Sequence, residues 1–126
     1  MSIASRAMEA GGGPPLRPRI VTDEDVDRAL AFLRDSAIQI GAAREDMSNA
    51  KSFVQHVEAL LYLGSEEKTV DAKKADVKTR EKWLEASAAE AKAAGEFEKL
   101  KALREAASAK IEAWRSEQAT LRGMRI

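Results

Sequence analysis

At 126 residues the chain fits one domain, and 21 basic residues balance 21 acidic ones, so neither an overall basic nucleic-acid binder nor an acidic mimic of DNA is indicated. The absence of cysteine excludes disulfides and thiolate sites and suits an intracellular protein, and no apolar run or secretory segment points to a membrane, so a soluble cytoplasmic protein is expected. With 33% of residues charged and only three Phe, two Trp and one Tyr, the composition suits paired long helices better than a thick globular core.

Residues 1–21 read as a flexible N-terminal arm. Gly11, Gly12, Gly13, Pro14, Pro15 and Pro18 exclude regular helix there, while Arg17 and Arg19 make it weakly basic. Such an arm is either an idle tail or a strap that lies on a neighbouring subunit or on nucleic acid. The glycine run is followed by prolines and not by a Gly-Lys-Ser/Thr helix start, so it is no phosphate-binding loop.

Residues 22–126 read as an all-α, helical coiled-coil domain. Thr22 opens a long helix, with Asp23, Glu24 and Asp25 at the positive end of the helix dipole. Up to about residue 63 the apolar positions follow in steps of three and four: Val26, Leu30, Leu33, Ala37, Ile40, Ala43, Met47, Ala50, Val54, Val57 and Leu61. This is the narrow seam of a helix packed lengthwise on others, with Val26, Leu33, Ile40, Met47, Val54 and Leu61 as its backbone of packing positions. Ala37, Ile40 and Ala43 follow by three and three, a stammer beside Gly41 that predicts a mild bend or a hinge. A helix of about 60 Å is too long for a compact bundle, so an elongated hairpin or a homo-oligomer is expected. Gly64 stands where a left-handed C-cap belongs, the chain turns over residues 64–68, and Ser65 or Thr69 can cap the next helix.

Beyond the turn Val77, Leu84 and Ala91 recur at sevens, and after Gly95 the spacing resets to Phe97, Leu100, Leu103, Ala107, Ile111, Trp114 and Leu121. The offset predicts a break near Ala94, hence either two helices, about 69–93 and 96–122, or one bent helix. No strand pattern or internal repeat is present.

Catalytic, cofactor and metal sites are not expected. The single histidine, His56, has Glu58 two positions away, whereas a shared metal on a helix needs partners three or four apart. Two basic stretches are candidates for binding nucleic acid or a partner. Lys73, Lys74, Lys78, Arg80 and Lys82 crowd the start of the second half, with Lys74, Lys78 and Lys82 at fours; Asp71, Asp76 and Glu81 dilute them. They form a solvated helix face or a strip that contacts phosphates. Near the end of the sequence, Arg115, Gln118, Arg122 and Arg125 recur on one face free of acids, beside Trp114. Trp114 either extends the Phe97 to Ile111 core or stacks on a base. Arg115 and Arg122 could instead pair with Asp23, Asp25 or Asp27.

From Ala42 to Arg125, and above all in the closing run Leu103 to Ala107 and Lys110 to Ala119 followed by Arg122, the chain resembles small helical proteins of tailed bacteriophages and prophages. That group is associated with phage recombination genes, and its layout is similar to the UvsY-type recombination mediators. The resemblance implies a homo-oligomer in the bacterial cytoplasm that binds single-stranded DNA and helps load a recombinase by displacing a single-strand-binding protein. Trp114, Arg115, Gln118 and Arg122 match the closing motif, and Lys73 to Lys82 match the region expected to meet DNA. The alternative is a non-enzymatic helical interaction or structural module, such as a virion component or an inhibitor of a host defence complex, with no affinity for DNA.

Overall fold

The computed structural model describes residues 21–124, which leaves Arg125 and the predicted arm, except Val21, outside the described residues. The fold is all-α, with α1 (Asp23–Asp35), α2 (Ala37–Leu63), α3 (Val70–Val77) and α4 (Glu81–Met124). Thr22 caps α1 by a reciprocal pair: its hydroxyl accepts from the Asp25 amide at 3.1 Å, and the Asp25 carboxylate accepts from the Thr22 amide at 3.0 Å. Val21, assigned to the arm by sequence, belongs to the core, where it is buried with Val26, Ala29, Ala107 and Ile111.

The predicted single helix over 22–63 is interrupted at Ser36, not bent at Gly41. The Ser36 hydroxyl donates to the Phe32 carbonyl one turn back, a bond that competes with the helical ladder and bends helices. The amides of Ser36 and Ile40 still reach Phe32 and Ser36 respectively, so α2 carries on where α1 stops. Ser36 is 2% exposed and occupies the seam itself. With Ser36 in place of Ala37 and Ala29 in place of Leu30, since Ala37 and Leu30 are exposed, the seam runs Val26, Ala29, Leu33, Ser36, Ile40, Ala43, Met47, Ala50, Val54, Val57, Leu61, with Phe32, Glu58 and Tyr62 among the half-buried residues beside it. The steps of the seam alternate between three and four throughout, so the stammer inferred from the sequence disappears.

Gly64 ends α2 with φ −87°, in the right-handed region and not the predicted left-handed one, its amide donating to the carbonyls of Leu60 and Tyr62. Thr69 caps α3 through the Ala72 amide at 3.1 Å. The second half then breaks at residues 78–80 and not near Ala94. The Thr79 hydroxyl and amide both turn back to the Asp76 carbonyl, which draws that carbonyl away from the helix.

From Glu81 the chain runs as one helix through Gly95 to Met124, about 66 Å long. The covered positions that follow one another in steps of three and four are Trp83, Ala86, Glu90, Ala93, Phe97, Leu100, Arg104, Ala107, Ile111, Trp114, Gln118 and Leu121, with Ser87, Ala94 and Glu117 half-buried beside this line. Leu84 is 52% exposed and Ala91 is also exposed, so the sevens that included them were not the packing register. α4 lies antiparallel along α1 and α2, since Trp114 meets Asp23 at one end and Trp83 meets Glu58 at the other. A second buried cluster, Val54, Val57 and Ala86 with Leu61 and Trp83 against it, holds the end near the turn.

Gly95 leaves the helix intact because burying Phe97 beside it contributes about 2–3 kcal/mol, against about 1 kcal/mol for a helical glycine. A methyl group at Gly95 would meet nothing within 4 Å. Gly95→Ala should therefore stabilise the fold by about 1 kcal/mol, read as a higher thermal midpoint; an unchanged or lower midpoint would show that the glycine serves the packing after all.

Candidate interaction surfaces

The first basic stretch is divided by the turn that interrupts it. Lys73 is turned inward, its Nζ 3.5 Å from the Ser65 carbonyl and 5.4 Å from the centre of the Tyr62 ring. Arg80 pairs with Asp76 at 3.1 Å. Asp76 also accepts from the Ser65 hydroxyl at 2.8 Å, and these bonds, the Ser65 one first, hold its carboxyl below the usual range. Lys73, Arg80 and Asp76 thus fasten the turn. Lys74 and Lys78 share a groove with Gln55 and Tyr62 of α2, whereas Lys82, past the turn on α4, lines a different groove with Phe53 and Glu85. The three lysines do not share one helical face, because residues 78–80 are not helical.

At the other end, Trp114 packs against the Val21–Ile111 cluster and its Nε1 donates to Asp23 at 2.9 Å. The half-buried indole thus continues the core, as one of the two sequence alternatives has it. Gln118 is half-buried along the same seam, while Arg115 and Arg122 are exposed beside it. Arg115 pairs within α4, with Glu112 at 2.9 Å, so the guanidinium face contains an acid that the sequence pattern had left off it. At about 66% exposure on both partners this pair contributes little to stability.

Asp25, at the head of α1, is held at about pKa 2 by the Thr22 amide, the Arg28 guanidinium and the Thr22 hydroxyl. A depressed carboxyl stabilises the fold fully above its unfolded value, near 4, and loses that contribution as the pH falls towards 2. Asp25→Asn should therefore be less stable than the parent at neutral pH and converge with it at the acid end. Thermal midpoints measured between pH 2 and pH 6 test this, and a gap between the two proteins that stays constant with pH would refute it.

Sequence reasoning missed two features. The first is a polar layer inside the seam, where Arg104 Nη1 donates to the Leu33 carbonyl at 2.7 Å and to the Ser36 hydroxyl at 2.6 Å. The second is an open flank. A run of shallow grooves follows one side of the helix pair, from Phe32 and Leu103, past Ala43 and Glu96, to Phe53 and Ala86; neighbouring grooves share Leu103, then Ala43, Asp46 and Glu96. Phe53 at 56% and Leu103 at 49% exposure line it. α3 sits on the opposite flank, where Glu58, Ala59 and Tyr62 meet Val77. The available signal was Phe53, a large aromatic residue off the seam of its helix.

His56 is exposed, and among the described residues no group of three His, Asp or Glu side chains is placed to hold a metal ion. No helix among them is long and apolar enough to cross a membrane. Comparison with protein-family models, with curated proteins and with solved structures finds no match to this chain.

Proposed function

We propose that this protein is a non-enzymatic helical assembly module that works by packing its long helices against other helices, beginning with copies of itself. The observation that carries this reading is the open flank: large apolar side chains line grooves some 50 Å in extent, on a chain whose own core is only one seam wide. Charges of both signs border those grooves, as suits a protein surface more than a polyanion. Sedimentation velocity over a range of concentrations tests it: a reversible oligomer is expected, and a monomer at every concentration would remove its main support.

A second reading, a phage-type recombination accessory that binds single-stranded DNA or a recombinase, is favoured by Lys74 and Lys78. They make no ion pair among the described residues and flank the Tyr62 side of one groove, an arrangement suited to a phosphate beside an aromatic ring. Fluorescence anisotropy of a labelled oligothymidine separates the two. Binding that weakens steeply with salt and is lost in Lys74→Glu/Lys78→Glu or Arg115→Glu/Arg122→Glu would support the recombination reading. An oligomer with no binding even at low salt supports the assembly module alone.

A further inference from the structure

We infer that the open flank pairs two copies of this chain about a two-fold axis parallel to the long helices, so that α1 and α2 of each copy lie on α4 of the other in a four-helix bundle. This rests on the self-assembly reading and specifies its surface and geometry.

Charge distribution across the flank selects the occupant. The charged groove residues supplied by α1 and α2 are Asp25, Arg28 and Asp46; Asp25 and Arg28 pair with each other at 2.7 Å, so the net negative charge of this edge is that of Asp46. Those supplied by α4 include Lys82, Lys92, Lys99 and Lys110 against Glu85 and Glu96, a net positive edge. A two-fold axis across the helices would set α4 on α4 and place like charges together. An axis along the helices sets each negative edge on the partner's positive edge, and it does so twice, because the contact is isologous.

The same operation leaves residues at one level of the hairpin facing each other. Asp46 and Lys92 border one groove from its two helices, so across the axis each Asp46 would meet the other copy's Lys92. Phe32 and Leu103 likewise border one groove, and the pairing would cover both with apolar surface from the second copy. α3 does not obstruct this, since it packs on the opposite flank of α2. A flank about 50 Å long has room for the roughly 800 Å² per partner that stable dimers bury.

The test is sedimentation equilibrium on the full chain and its variants, with circular dichroism to confirm that each is folded. Phe53→Glu/Leu103→Glu changes two half-exposed positions and should be monomeric at concentrations where the parent is a dimer. Leu30→Glu, on the opposite flank, should remain a dimer. Asp46→Lys and Lys92→Glu should each weaken self-association by about tenfold, through like charges at two symmetric contacts, and an equimolar mixture of the two should pair as tightly as the parent.

A parent dimer that survives Phe53→Glu/Leu103→Glu but falls apart with Leu30→Glu would overturn this surface and leave the assembly reading standing. A dimer weakened by Asp46→Lys but not by Lys92→Glu would overturn the axis. A parent that is monomeric throughout would overturn both the inference and the self-assembly reading, and would leave the flank to residues 1–20 or to a different protein.

Discussion

Val54→Asp should unfold the protein, and Leu84→Asp should leave it nearly as stable as the parent. Val54 is buried against Val57, Ala86, Leu61 and Trp83, so a carboxylate there would be set among apolar side chains. An unpaired charge in such a place costs several kcal/mol even when it neutralises itself by taking up a proton. Domains of this size are stable by roughly 5–15 kcal/mol, and the cluster around Val54 is one of only two that join the long helices among the described residues. Leu84 is a larger apolar residue at a position that the sequence places in a run of sevens, yet half of its surface meets solvent. Its replacement should change stability by about 0.5 kcal/mol or less. Urea titrations followed by circular dichroism compare the two directly. Equal losses would mean that α4 packs in a register turned by one residue, and the heptad from Trp83 to Leu121 would be wrong.

The same pair of residues shows what was legible in the sequence. Val26, Leu33, Ile40, Met47, Val54 and Leu61, the positions chosen for the first seam, are all buried or half-buried. They were readable because large apolar side chains recur there with little competition. The errors lie where a small or polar residue holds the seam and a more hydrophobic one stands next to it. Ala29 is buried and Leu30 is exposed; Ser36 is buried and Ala37 is exposed. Taking the more hydrophobic neighbour each time shifted the phase and produced a stammer that the fold does not contain.

α4 carries the problem further, because Glu90, Arg104 and Gln118 hold three of the twelve positions along its seam. Hydrophobicity alone cannot place them in the seam, so the run looked interrupted and Gly95 looked like the cause. The all-α class survived these errors because it depends on the period of the pattern and not on its phase. The candidate surfaces fared less well for a related reason. Sequence spacing put Lys74, Lys78 and Lys82 on one face only by assuming a helix through Thr79, and it passed over Glu112, which stands three residues before Arg115 on the same helix and pairs with it.

Arg104→Leu should cost about 2–3 kcal/mol, although it replaces a charge in the seam by an apolar residue. The guanidinium supplies two hydrogen bonds to groups 68 and 71 residues away, the Ser36 hydroxyl and the Leu33 carbonyl. Leu33 lies in the last turn of α1, where carbonyls lack partners in their own helix, and the interruption at Ser36 is what leaves it there. Arg104 therefore compensates on one helix for a break in the other. Ser36→Ala alone should cost about 1 kcal/mol, since it removes one acceptor and leaves the Leu33 carbonyl for Arg104. The double variant has no hydroxyl to strand, and without the bond from Ser36 to Phe32 the helix can continue from α1 into α2 and satisfy the Leu33 carbonyl itself. It should recover much of the loss, with a coupling of about 1–2 kcal/mol in a double-mutant cycle measured by urea unfolding. Strictly additive losses would mean that the break at Ser36 and the arginine opposite it are independent features of the fold.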